Sequence, residues 1–137
     1  MKYKHFLDWA LPTLREAAWA PLILVASYLT GVALHLYKLY PNLDIPTHLL
    51  GGIAITYFYR VAIRNSQGTL GNIPLSIQIL LAFTATGTTA IFWEFYENLL
   101  DYFLHTHTVL GLFDTLKDLF NGLLGALVLS LFYRRHS

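Results

Sequence analysis

The chain has 137 residues, of which 55% are hydrophobic and 12% charged, with a formal net charge of +1. This composition is too apolar for an ordinary soluble domain and indicates one small polytopic membrane domain, residues 1–137. The lack of cysteine excludes disulfides, thiolate metal sites and cysteine nucleophiles, and the scattered basic residues give no indication of nucleic-acid binding.

In chain order, the sequence predicts a short interfacial helix followed by four spanning helices. Residues 5–16 mix apolar and charged positions, which is typical of a helix lying in the membrane interface. A spanning helix needs about 20 mostly apolar residues. Four windows satisfy this requirement, at about 17–37, 45–63, 73–103 and 111–133. The predicted fold is an all-α, integral membrane four-helix bundle.

Two connections carry more specific expectations. Polar residues and glycines at 65–71 predict the loop between the second and third spans. The third window, extended as a helix over 73–103, would be about 46 Å long, so we expect it to tilt, protrude or break near residues 87–89.

Lysine and arginine predict the orientation. They precede the first span, lie around the 65–71 loop and follow the fourth span, whereas the alternate loops contain Lys38 alone; they are Lys2, Lys4, Arg15, Arg60, Arg64, Arg134 and Arg135. By the positive-inside rule, both termini and the 65–71 loop are cytoplasmic.

Six of the eight acidic residues lie in or beside the apolar windows: Asp44, Glu94, Glu97, Asp101, Asp114 and Asp118. Placing an ionised carboxylate at bilayer depth costs roughly 2.5–3.5 kcal/mol of insertion free energy, so we expect these groups to have a compensating partner or a functional role. The predicted orientation places all six toward the outer face. Helical spacing pairs Asp44 with His48, and Asp114 with Asp118 and Asn121, on faces that continue into glycines.

Aspartates one turn apart repel each other, and a bound cation relieves the repulsion. The imidazole of His48 with nearby carboxylates predicts a divalent metal site for Zn²⁺, Mn²⁺, Mg²⁺ or Fe²⁺, with one or two ions. The predicted ligands are Asp44, His48, Glu94, Asp114 and Asp118, supported by Asn121, Glu97 and Lys117.

Each of these residues also has a structural interpretation. Asp44 could cap the second span, and Asp114 could face the helix dipole beside Lys117. Glu97 and Asp101 could be solvated, as could His105 and His107, which could otherwise cap the site. The whole set could form a cation-free hydrogen-bond network that holds the bundle together.

Three short motifs resemble the YjdF-type family of bacterial inner-membrane proteins: Asp44-Ile-Pro-Thr-His48, Trp93-Glu94, and Asp114-Thr-Leu-Lys-Asp118 followed by Gly125-Ala126. The resemblance implies a location in the inner membrane. A more distant similarity is to the VanZ-like family, linked to glycopeptide resistance, through Asp44, His48, Glu94 and Asp118-Leu-Phe-Asn121.

Our leading functional hypothesis is a metal-dependent enzyme that hydrolyses a lipid or lipid-linked phosphate at the outer leaflet, with Glu94 as general base or further ligand. Membrane lipids are then its expected partners. The alternative is a non-catalytic protein that binds ions or protons, or assists membrane-protein assembly. The sequence predicts neither the substrate nor the oligomeric state.

Overall fold

A computed structural model describes the backbone of residues 2–106 and 109–135, with side chains for residues 6–106 and 109–133. Predictions about His107, and those that rest on the side chains of Lys2, Lys4, Arg134 and Arg135, lie outside these residues. In the part described, the protein is all-α, as predicted. The helices are α1 (Lys2–Ala17), α2 (Trp19–Ala33), α3 (Leu36–Leu39), α4 (Asp44–Leu70), α5 (Leu75–Leu104) and α6 (Leu112–Arg135), with a 3₁₀ turn at Pro41–Leu43.

The central helix is α4, which packs against α1, α2, α5 and α6. Its polar side chains find partners on these neighbours: Thr56 shares a 2.9 Å hydrogen bond with Thr86 of α5, and Tyr59 shares one of 2.9 Å with Thr89. A helix surrounded in this way can be more polar than one that faces lipid. By length and composition, α5 and α6 are able to cross a membrane, and the α1–α2 pair counts as a third span if its 53° bend is accepted. The structure therefore supports two or three apolar spans where the sequence predicted four.

The first predicted span, 17–37, is shorter than expected. Helix α2 ends at Ala33, and His35 then takes a left-handed conformation with φ of 55° before the short α3 begins. Left-handed residues other than glycine interrupt a helix. The preceding helix, α1, packs on the C-terminal half of α4, where Asn65 donates a 3.2 Å hydrogen bond to Thr13 and Arg64 pairs with Glu16. The predicted interfacial location of α1 stays a prediction.

The prediction of a loop over 65–71 is wrong, because α4 continues to Leu70. Gln67 explains where the helix stops. Its carbonyl accepts a 2.9 Å hydrogen bond from the amide of Gly71, which has φ of 88°, and its side-chain oxygen accepts one of 2.9 Å from the amide of Ile73. These bonds fold the chain back within four residues, so that α5 starts at Leu75.

Of the three alternatives for the long third helix, a break near residues 87–89 is wrong, since α5 is continuous over 30 residues; tilting and protrusion stay predictions. The hydroxyls of Thr88 and Thr89 donate to the carbonyls of Thr84 and Ala85, one turn earlier, at 3.0 and 2.9 Å. These hydroxyls therefore have hydrogen-bond acceptors inside a helical backbone, so their presence does not require the helix to open. Gly87 faces Leu123 of α6, where an added Cβ would lie 3.2 Å from the leucine methyl.

Candidate functional site

Three helix ends meet at one end of the bundle, and each brings acidic residues. Helix α4 begins there with Asp44 and His48, α5 approaches its end with Glu94 and Glu97, and α6 begins with Asp114 and Asp118. The spacing of four residues puts Asp44 and His48 on one face of α4. Because α4 runs antiparallel to α5 and parallel to α6, the end of α5 and the starts of α4 and α6 come together, although their residues are far apart in sequence.

His48 lies at the centre of this group. Its Nε2 atom is 3.2 Å from an Asp44 oxygen and 4.0 Å from both Glu97 and Asp118. Its Nδ1 atom is 3.8 Å from Oε1 of Glu94. The imidazole therefore has carboxylates from three helices around it, with Glu94 on one side of the ring and the other three on the opposite side.

The carboxylates around His48 are buried, and some of their oxygens lack partners. Glu94 is 5% exposed and Asp118 is 4% exposed. Among the described residues, no hydrogen bond reaches either oxygen of Glu94 or Oδ1 of Asp118. Burying a carboxylate without such bonds is costly, so a cation or a proton held at these oxygens would lower that cost.

Glu97 is more central than the sequence indicated. It was assigned a supporting position, with solvation as the structural interpretation, yet it is only 4% exposed and faces His48. The solvated interpretation of Glu97 is wrong. Helical periodicity places Glu94, Glu97 and Asp101 along one polar stripe but does not tell how deeply each one reaches, because that depends on how α5 rotates against α4.

Lys117 neutralises part of the acidic group. Its ammonium is 2.6 Å from Asp114, 3.3 Å from Asp44 and 3.7 Å from Asp118. The structural interpretation of Asp114 as the partner of Lys117 is confirmed, and its second oxygen accepts a 3.0 Å bond from the amide of Leu110. The N-cap interpretation of Asp44 is wrong, because Asp44 is the first residue of α4 and its side chain caps nothing.

Two sets of side chains have ligand atoms close enough together to hold a metal ion. They are Asp44, His48 and Asp118, and His48, Glu94 and Glu97, with all atoms of each set within 4.8 Å of one another. One nitrogen and several carboxylate oxygens form a donor set that suits Zn²⁺, Mn²⁺ or Fe²⁺. Asp114 belongs to neither set. Asn121 is half-buried one turn beyond Asp118.

Glycines hold α4 and α6 together just below the site. A Cβ added at Gly52 would overlap the carbonyl oxygen of Gly122, and one added at Gly125 would overlap that of Leu49. The two backbones are therefore in direct contact, as the glycine-continued polar faces predicted. This contact lies one turn from both His48 and Asp118, so it sets the distance between them.

The loop between α5 and α6 is tied down beside the site. Asp101 accepts hydrogen bonds from the Thr106 hydroxyl and, at 2.8 Å, from the amide of Val109. His105, which ends α5 with φ of 53°, is exposed. Asp101 thus stabilises the described part of the loop, and the exposure of His105 agrees with the solvated interpretation.

Comparison with known proteins identifies the group to which the sequence is similar. A family model described as a predicted membrane protein, DUF2238, matches residues 5–137. The comparisons with curated proteins and with solved structures gave no match.

Proposed function

Because the chain belongs to DUF2238, a family of predicted membrane proteins, we propose that it is a membrane-embedded, metal-dependent hydrolase acting on a lipid or lipid-linked phosphate. The YjdF-type resemblance found in the sequence is to this same family. The carboxylate and imidazole group described above is the proposed catalytic centre. The VanZ-like similarity carries no part of this proposal.

One observation carries the metal proposal: buried carboxylate oxygens without hydrogen bonds face the same imidazole from different helices. Glu94 and Asp118 provide these oxygens. Each buried ion costs several kcal/mol unless it is compensated, and Lys117 reaches the Asp44, Asp114 and Asp118 side of the cluster. A divalent cation in either of the two ligand sets that share His48 supplies positive charge that Lys117 alone does not. It also fits the preference of such ions for oxygen and imidazole ligands.

The chemistry follows from the placement of the remaining groups. A divalent cation at this point would polarise a phosphate oxygen and make water more acidic. Glu94 would be the base for an attacking water, since it lies beside the imidazole and no hydrogen bond from a described residue occupies its oxygens. No serine or cysteine nucleophile with an adjacent base is present among the group, so direct attack by water is the mechanism that these residues support.

The membrane setting favours an amphipathic substrate. Lys117, which is 31% exposed at its side chain, provides a cation at the rim of the acidic group that can meet a phosphate. The site lies at the ends of helices rather than at their middles, and in a membrane protein the helix ends lie near the lipid headgroups, so a lipid can reach it without leaving the bilayer. A lipid or lipid-linked phosphate therefore remains the substrate class that we propose.

The first test is the metal content of the purified protein. In detergent, after incubation with Zn²⁺, Mn²⁺, Mg²⁺ or Fe²⁺, elemental analysis should find bound metal in the parent protein. Metal binding should weaken at least about 10–100-fold in each of three variants, Asp44→Asn, His48→Ala and Asp118→Asn. That range is typical when a residue that only supports a metal ligand is replaced, and loss of a ligand itself should cost at least as much. Asp8→Asn, at an exposed position on α1, is the matched control and should keep the parent's metal. Normal content in all three site variants, or none in the parent, would remove the metal hypothesis.

The alternative function, a cation-free polar network in an ion-binding or assembly protein, has a specific observation in its favour. Lys117 contacts three of the carboxylates and so compensates part of the charge without a metal. The cation-free alternative predicts that the parent protein binds no metal and that Lys117→Met destabilises the bundle. The metal analysis above separates the two functions.

We also propose that the site faces the outer side of the inner membrane, with both termini cytoplasmic. Single cysteines at Asn42 and Gly68, both exposed in this cysteine-free chain, test this orientation. Asn42 lies near the start of α4 beside the site, and Gly68 lies near its other end. An impermeant thiol reagent applied to intact cells should label the cysteine at 42 and not the one at 68. Labelling of the cysteine at 68 alone would show that the orientation is the reverse, with the site facing the cytoplasm.

A further inference from the structure

An apolar cavity of about 250 Å³ lies between α2, α4 and α5, directly inward from His48. Several of the residues that line it are small, among them Gly51 and Gly52 of α4 and Ala90 of α5. Helices α2 and α5 meet beside it through the rings of Tyr28 and Trp93, whose centroids are 4.8 Å apart. The cavity is thus a gap that the bundle maintains beneath an aromatic contact.

The cavity has one polar end and apolar walls. Thr47 and His48 lie at the polar end, and Val25, Ile55 and Ala90 contribute to the walls. Two threonines in the wall already use their hydroxyls, Thr86 with Thr56 and Thr89 with Tyr59. An engineered apolar cavity of about 150 Å³ stays dry and binds benzene, so this larger space has room for an alkyl segment.

A second, wider cavity of about 700 Å³ lies along the other side of α2 and shares Leu24, Tyr28 and Thr47 with the first. Its rim includes Ile23 and Leu50, which are 60% and 54% exposed. In a membrane, such residues face lipid chains. The wider cavity is therefore open to lipid hydrocarbon, and α2 lies between that hydrocarbon and the inner cavity.

We propose that the inner cavity binds one hydrocarbon chain of the lipid substrate, with the substrate's polar end at His48 and the carboxylates. This proposal rests on the proposed function. It adds that the protein selects its substrate by a single chain held inside the bundle rather than by the headgroup alone. The chain enters from the lipid side, past α2.

Trp93 in the cavity wall provides a direct measurement. Replacing Trp9 and Trp19 by Phe leaves Trp93 as the sole tryptophan of the three. A monoacylglycerol with a brominated acyl chain, added to this full-length protein in detergent, should quench Trp93 fluorescence saturably. The probe is neutral, so its binding should be the same with and without a chelator.

Variants on α2 identify the binding place. Val25→Phe should weaken the quenching about tenfold, equivalent to about 1.4 kcal/mol, because the added ring displaces about two methylenes of the chain. Leu22→Phe, on the same helix at a position that is 65% exposed, is the matched control and should bind like the parent. Equal quenching in the two variants, or no saturable quenching in the parent, would overturn the cavity proposal.

A charged probe links the cavity to the metal. Brominated lysophosphatidic acid places a phosphate among the carboxylates, so it should bind well only when metal is present, whereas the neutral probe binds in both conditions. If only the neutral probe binds, even with metal, the phosphate function fails while the chain cavity stands. If metal and turnover are found but neither probe quenches Trp93, the cavity proposal fails alone. A competition experiment on the metal-loaded protein tests selectivity. If unlabelled lysophosphatidylcholine, which resembles a detergent, displaces the brominated probe as strongly as unlabelled lysophosphatidic acid does, chain binding is nonselective and the substrate role is refuted.

Discussion

Glu94→Gln is expected to lower the hydrolysis of lysophosphatidic acid by about 10²–10⁴-fold, the usual contribution of a general base. The metal content and the melting temperature should stay close to those of the parent, because glutamine keeps the size of the side chain and one acceptor oxygen. Phosphate release by the metal-loaded protein measures turnover. Glu16→Gln, in the exposed pair with Arg64 at the other end of α4, is the matched control, since exposed ion pairs contribute at most about 1 kcal/mol.

The geometry gives Glu94 a competing role, and the same variant separates the two. Oε1 of Glu94 lies 3.8 Å from Nδ1 of His48, where a carboxylate commonly orients a metal-binding imidazole. Glutamine can still accept a hydrogen bond from that nitrogen but cannot accept a proton from water. Full activity in Glu94→Gln combined with loss of activity in Glu94→Ala would therefore make Glu94 a positioning residue.

Glu97 is the residue to examine if Glu94 is not the base. It lies on the Nε2 side of His48, the side that also faces Asp44 and Asp118. Loss of turnover in Glu97→Gln with activity retained in Glu94→Gln would transfer the base role to Glu97. If neither metal-loaded parent nor variant releases phosphate from any lipid, the hydrolase proposal is wrong and the binding alternative takes its place.

Much of the fold could be predicted because membrane helices have strong local signals. Apolar length located α2, α5 and α6, and the glycines at 52, 122 and 125 indicated where helices touch. The errors lie where tertiary contacts override those signals. Residues 65–70 have the composition of a loop, yet they stay helical because Gln67 closes the helix and Asn65 bonds to α1.

The candidate site was predicted as a group better than residue by residue. The i, i+4 pairs identified Asp44, His48 and Asp118 because these share faces along single helices. Sequence spacing could not decide between Asp114 and Glu97, since that choice depends on where Lys117 reaches and how α5 is rotated. In the structure, Asp114 forms an ion pair with Lys117, and Glu97 faces His48.

Arg60 shows the same limit on the other side of the bundle. The sequence placed it beside a cytoplasmic loop as a marker of orientation. In the structure it lies within α4, is 7% exposed and packs 4.8 Å above the ring of Tyr133. Nothing local to the sequence distinguishes a solvated arginine from one that stacks on an aromatic ring two helices later in the chain.

Gly52→Ala should destabilise the bundle more than any other single methyl addition along α4. The new Cβ would overlap the carbonyl oxygen of Gly122, and backbone atoms cannot move aside as a flexible side chain can. Overpacking of this kind costs about 1–3 kcal/mol, and separation of α4 from α6 also moves His48 away from Asp118. The melting temperature, followed by circular dichroism in detergent, and the bound metal should therefore fall together.

Two glycines of the same helix provide the comparison for Gly52→Ala. Gly68 has no atom within 4 Å of an added Cβ, so Gly68→Ala should be neutral or stabilising by up to about 1 kcal/mol. At Gly51, the Cβ would lie 3.3 Å from a methyl of Leu24, a side chain that can adjust, and the effect should be intermediate. The expected order of melting temperatures is therefore lowest for the alanine at 52, then 51, then 68. A protein with Gly52→Ala that melts like one with Gly68→Ala would show that α4 and α6 do not touch at this point. The distance between His48 and Asp118, on which the metal proposal depends, would then lack its support.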